Sequence, residues 1–303
     1  MALFNSKLNN VKKNQASGLA FSIAVAAYIV VALVFSIATV SLSAEQKAEP
    51  FYFYLSFFLP VPVTLITLVA VFEFTPFNGH DFLKFSFAPK NLLPLLLIFA
   101  GAFFALNKVN EYVVGWLESF GYSEPSTALP EFTVWDYIEC VVIICALPAI
   151  FEEALFRGVI LGGIKEGGIF AALLSAALFA IYHMSPSKTV YQFIMGLVFA
   201  LIAIKTDSMM PSALVHFLNN FLVVTLNYFA PDLFSNADIA PYFIVFGLLS
   251  LAAGLVLLFV FNKENKLGDR EKIKENKPIG GFLLFSAVGR LGCATIWIAG
   301  LIA

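Results

Sequence analysis

VVIICALPAI-FEEALFRG-VILGGI, residues Val141 to Ile164, is an apolar run broken by two adjacent carboxylates and an arginine. With its neighbours the run is long enough to cross a bilayer, so Glu152, Glu153 and Arg157 stand where hydrocarbon is expected on both sides. An ionisable side chain at membrane depth costs at least about 2.5–3.5 kcal/mol on insertion scales. A pair that only filled space could be replaced by leucine at lower cost. Adjacent residues on a helix point about 100° apart, so the two acids face different neighbours. Arg157 follows Glu153 by four residues, with the acid N-terminal, which is the favourable order for a helical ion pair. The spacing divides the labour: Glu153 is expected to pair with Arg157, and Glu152 to project elsewhere without that partner. Pro148, one turn earlier, is expected to kink the helix and admit water. A structural polar knot between helices is the other reading of this motif alone.

Composition points to the same solvent. The chain has 303 residues, 60% of them hydrophobic, 13% charged and 34 of them Phe, with a mean hydropathy of +0.88. A soluble domain carries roughly 25% charged residues. The net charge of −2 and the lack of a basic face leave no footprint for nucleic acid. Cys140, Cys145 and Cys293 lie in apolar stretches without metal spacing and read as small buried hydrophobes.

A spanning helix needs about 20 mostly apolar residues. The candidates are Gly18–Ser43, Phe51–Phe72, Leu92–Leu106, Val134–Ile164, Ile169–His183, Val190–Ile204, Pro211–Phe229, Pro241–Phe261 and Ile279–Ala303. The third is short unless it continues through VNEYVVGWL, and the fifth and sixth are short for full spans. The reading is all-α: a polytopic membrane helix bundle of eight transmembrane helices, with 279–303 as the ninth. The first span ends in SLSA, which imitates a cleavage site. Its length exceeds the roughly 7–15 apolar residues of a signal-peptide core, so it is expected to be an anchor. With the N-terminus cytoplasmic, thirteen Lys and Arg fall in inner segments, against Lys47, Lys108 and Lys188 outside. That bias fits the positive-inside rule. The organisation is then a cytoplasmic tail (1–17), N-terminal membrane helices (18–106) and an outer loop (107–133). A core (134–229) follows, and then C-terminal membrane helices (230–303) with a basic cytoplasmic loop (262–278). That loop reads as solvated and facing anionic headgroups.

Two further polar motifs lie in apolar segments. FAIYH runs from Phe179 to His183, and HFLNN from His216 to Asn220. The third histidine, His80, falls in a charged loop. His216 and Asn220, at i and i+4, share one helix face. A lone histidine in a helix is more often a core residue that has found a hydrogen bond. Two His, an unpaired Glu and an Asn on three helices form a fair catalytic set. Straight, fully crossing helices would place His183 near the outer end of its span, and His216 only about 8 Å from the inner end of its own. Breaks around Pro148, Pro186 and Pro211 are needed to bring them together.

In this order, EExxxR (Glu152, Glu153, Arg157), FxxxH (Phe179, His183) and HxxxN (His216, Asn220) resemble the CPBP family. These are the CAAX proteases and bacteriocin-processing enzymes, also called type II CAAX prenyl endopeptidases or Abi proteins. The flanks SALVHFLNN and YQFIMGLVFALI resemble it too, and the likeness covers Trp135 to Phe229, about a third of the chain. The resemblance implies an intramembrane endopeptidase of a bacterial cell membrane, acting on a membrane-associated peptide or protein within the lipid bilayer. Glu152 would be the general base for a water held jointly with His183. His216 and Asn220 would donate to the developing oxyanion, typically about 2.7–4 kcal/mol per donor. Glu153 and Arg157 would hold the helix, and Phe179 would pack one turn before His183.

Zinc is the rival chemistry, with Glu152, His183 and His216 as its available ligands. There is no HExxH, and Glu153 would then have to serve as base and lose Arg157, so the metal-free, cofactor-free mechanism is preferred. A non-catalytic membrane protein of the same fold, acting in bacteriocin self-immunity or beside a sensor kinase, is the alternative. It would have no need of Glu152. A proton-relaying transporter would show repeated halves or further intramembrane acids, and the sequence has neither.

Overall fold

Apolar runs punctuated by proline give helices, and every regular element among the described residues is helical. The computed structural model describes residues 12–75, 83–123, 129–165, 168–230, 240–265 and 278–302. Lys7, His80 and most of the basic loop lie outside these. The chain opens with α1 (Lys13–Ala38), then α2 (Ala44–Ala48), α3 (Pro50–Phe58) and α4 (Pro60–Phe74). Pro50 and Pro60 sit in first turns, where a missing N–H costs nothing. A short 3-10 turn leads into α5 (Leu92–Glu118). The third expected span therefore does continue through VNEYVVGWL, and the expected outer loop 107–133 is helical as far as Glu118.

Next comes a central helical rod, Val134 to Ile164, in five pieces. These are α6 (Val134–Cys140), a π segment (Val141–Ala146), α7 (Leu147–Glu153), a second π segment (Ala154–Ile160) and α8 (Leu161–Ile164). The rest is α9 (Ile169–Tyr182), α10 (Thr189–Thr206), α11 (Met210–Phe229), α12 (Ala240–Phe261), α13 (Pro278–Phe285) and α14 (Ala287–Ile302). The rod is the hub: α1, α3, α4, α9, α10 and α11 all pack on it. Ser17 of α1 donates to the Val159 carbonyl in the second π segment at 3.0 Å.

The bundle is a polytopic membrane protein, but eight to nine spans are not confirmed. Among the described residues, five helical stretches are long and apolar enough to cross: Lys13–Ala38, Pro50–Phe74, Pro89–Glu118, Thr189–Thr206 and Pro241–Phe261. The pair Ile279–Phe285 and Ala287–Ile302, bent by 60°, makes a sixth if it counts as one span. The other expected spans are the broken rod, the short Ile169–Tyr182 and the polar-bearing Met210–Phe229. Those are the elements that build the site described below. All three cysteines are buried and free, as expected.

The most extensive helix pair is α5 with α12, and it closes on glycine. A Cβ on Gly101 would lie 2.3 Å from Leu251 N, and one on Gly247 2.5 Å from Ala105 N. Lipid tails are as apolar as leucine, so such close backbone packing is what holds membrane helices together. Gly247→Leu is therefore expected to push α12 off α5 and cost about 1–3 kcal/mol. Thermal unfolding in detergent checks this, and an unchanged midpoint would mean the seam does not hold the pair.

Candidate active site

The site begins with a missing hydrogen bond. Pro148 has no N–H to donate to the carbonyl of Ile144, four residues earlier, and a π segment occupies that stretch instead of α-helix. The Ile144 carbonyl faces α11, where the Asn220 side-chain amide donates to it at 3.4 Å. The expected break at Pro148 is thus a change of helical type, and α11 is tied to it.

The two glutamates that follow have opposite surroundings. Glu153 is fully buried. Its Oε2 lies 3.2 Å from Arg157 Nε, and its Oε1 lies 3.2 Å from His216 Nδ1. The Arg157 contact is a charge contact rather than an aligned hydrogen bond. Arg157 also donates from Nη2 to the Gly196 carbonyl at 3.2 Å, with its guanidinium 4.5 Å from the Phe179 ring centre. Pairing of Glu153 with Arg157 follows the helical spacing. The bond to His216 crosses between helices, where spacing is silent. One consequence concerns the imidazole: with Nδ1–H donated to Glu153, the ring's orientation is fixed. Phe199 stacks on that ring at 4.9 Å.

Glu152 turns the other way, toward His183. The Oε2–Nε2 distance is 3.9 Å, longer than a hydrogen bond and of the size one water bonded to both would span. His183 Nδ1 sits 2.7 Å from the Phe179 carbonyl, so Nδ1 carries the proton and Nε2 presents a lone pair to Glu152. Glu152 Oε2 is buried and has no hydrogen-bond partner within the protein. Phe179, fully buried, touches both imidazoles, with ring centres 4.8 Å from His183 and 6.0 Å from His216. The depth difference expected of straight spans therefore does not separate the two histidines.

Glu152, His183, His216 and Asn220 all line one cavity of about 530 Å³. Glu153, Arg157 and Phe179 lie behind it. Two neighbours escaped the sequence reading. Tyr191 of α10 donates to Asn219 Oδ1 at 2.9 Å, and Asn219 donates to Asn220 Oδ1 at 3.4 Å. Asn219, the first asparagine of HFLNN, was the available signal. Among the described residues no three His, Cys, Asp or Glu side chains are grouped to hold a metal, and His216 turns its Nδ1 to Glu153, which leaves its Nε2 to the cavity.

Residues 134–222 match the family model described as Type II CAAX prenyl endopeptidase Rce1-like. The core is similar to this Rce1-like family. The matched stretch contains every motif residue named above and agrees with the CPBP resemblance. Over 185 residues, covering 59% of this chain and 72% of the relative, the chain is 24% identical to a Bacillus subtilis (strain 168) protein named "Putative membrane peptidase YdiL". No solved structure matches the chain. The helices outside the Rce1-like core wrap it: α1 and α4 pack on the rod, and α5 adds Asn107 and Asn110 to the cavity wall.

Proposed function

We propose that this chain is an intramembrane endopeptidase that hydrolyses a peptide bond of a membrane-associated peptide or protein, with water activated by Glu152. One observation carries the reading: a buried carboxylate oxygen without a partner, 3.9 Å from an imidazole nitrogen, in a cavity that His216 and Asn220 also line. Glu152 takes a proton from the water while His183 Nε2 accepts its other hydrogen bond and orients it. The resulting hydroxide attacks the peptide carbonyl. The proton on Glu152 then passes to the leaving amine, so the acid ends as it began.

His216 and Asn220 face the developing oxyanion. His216 Nδ1–H is held by Glu153, so the form that donates to the oxyanion is the imidazolium, with its second proton on Nε2. Asn220 spends one amide N–H on Ile144 and retains the other. Glu153 and Arg157 act from behind, fixing His216 and the rod. The mechanism assigns no step to a metal or other cofactor. Its partners are the substrate and the bilayer around it.

The test is direct. The full chain, reconstituted in lipid nanodiscs, is incubated with a pool of dye-labelled, membrane-anchored peptides, and products are read by mass spectrometry with and without EDTA. Cleavage that survives EDTA is expected. A folded protein that cleaves nothing leaves only the binding alternative of the same fold. Cleavage lost to EDTA and restored by zinc would overturn the metal-free mechanism.

A further inference from the structure

A peptide can be cut only where it is unwound, and an unwound peptide in a membrane exposes main-chain N–H and C=O groups that hydrocarbon cannot satisfy. The cavity must supply partners for them. Glu152, His183, His216 and Asn220 are committed to the reacting bond. The remaining polar wall holds hydroxyls (Ser56, Thr64), Lys188 and a set of carboxamides, among them Asn107 and Asn110 from α5 and Gln192 from α10. Asn107 and Asn110 are i and i+3, so they share one helix face.

Their own hydrogen bonding leaves them short of partners. Asn107 donates to the Phe103 carbonyl at 2.7 Å, which leaves its oxygen over. Asn110 Oδ1 is buried with no hydrogen-bond partner. Buried polar atoms are paired in the great majority of cases, and an orphan in a cavity wall calls for an explanation. A carboxamide carries the same donor and acceptor as a peptide unit, so it matches a main chain whatever the side chains are. Both asparagines lie outside the Rce1-like core at 134–222.

We propose that Asn110, supported by Asn107 and Gln192, binds the main chain of an extended peptide, its Oδ1 accepting a peptide N–H. This rests on the peptidase reading but can be tested apart from it. Main-chain recognition tolerates any side chain, so a generic probe suffices: a fluorescein-labelled apolar peptide and its per-N-methylated twin, which has no main-chain N–H.

Binding is measured by anisotropy to the full chain in nanodiscs, on a Glu152→Gln background so that no cleavage intervenes. Adding Asn110→Leu is expected to weaken the parent peptide roughly 3- to 10-fold, the worth of one neutral hydrogen bond. The twin should bind more weakly than the parent and be unaffected by Asn110→Leu. A purely structural role for Asn110 would weaken both probes equally and lower the unfolding temperature, which overturns the proposal. So would an unchanged affinity for the parent, or no binding of the parent at all. If the probe binds as described while wild-type protein cuts no peptide, the peptidase reading fails and the main-chain site stands.

Discussion

Glu152→Gln is expected to lower peptide cleavage by about 10²–10⁴-fold, the usual contribution of a general base, while leaving the protein folded and abundant. Glutamine has the size of glutamate but cannot take a proton from water at neutral pH. The side chain lines the cavity with an exposure of 16%, and its one ion-pair contact is with His183, so no buried guanidinium loses its direct partner when the charge is removed. Initial rates in nanodiscs, beside unfolding curves for both proteins, check this. A variant that cuts at close to the wild-type rate would remove Glu152 from the chemistry.

Glu153→Gln and Arg157→Ala are expected to fail in the opposite way, through stability. Glu153 has no exposure and lies against the Arg157 guanidinium and His216 Nδ1, and Arg157 is held between Glu153, the Gly196 carbonyl and the faces of Phe179 and Phe199. Removing either partner leaves the other charge buried, at about 3–5 kcal/mol. That is a large share of the roughly 5–15 kcal/mol that holds a domain together. Lower yield in membranes and a lower unfolding midpoint are the expected results for both variants. Equal abundance of all three substitutions, with only Glu153→Gln inactive, would exchange the roles of the two glutamates.

What could be read from the sequence divides along a physical line. Periodicity within one helix was legible: Glu153 with Arg157, His216 sharing a face with Asn220, and Glu152 turned aside from its neighbour. Convergence of three motifs on one cavity followed from their being the rare polar groups of an apolar chain. Contacts between helices were not legible, because spacing carries no information about them. The His216–Glu153 bond, the Tyr191–Asn219–Asn220 chain and the α5 asparagines all belong to that class. Asn107 and Asn110 did carry a trace, two carboxamides three residues apart beside an apolar run, but the boundary set at Leu106 left them in a loop. The span count is not confirmed where the helices are broken or short, since hydropathy sums residues without registering a π turn or a bend.

The two π segments have a consequence for length. They bracket α7, the seven residues that carry both glutamates. A π turn takes up about one residue more than an α turn, because its hydrogen bonds close five residues back instead of four. Deleting one residue from Val141–Ala146 would therefore let that stretch close as α-helix and leave Glu152 facing the cavity. The same deletion inside α7, ahead of Glu152, would turn the acids by about 100° and present Glu153 in its place. The π segments are slack in the length of the chain, and α7 is where a count of residues sets which acid reaches the cavity.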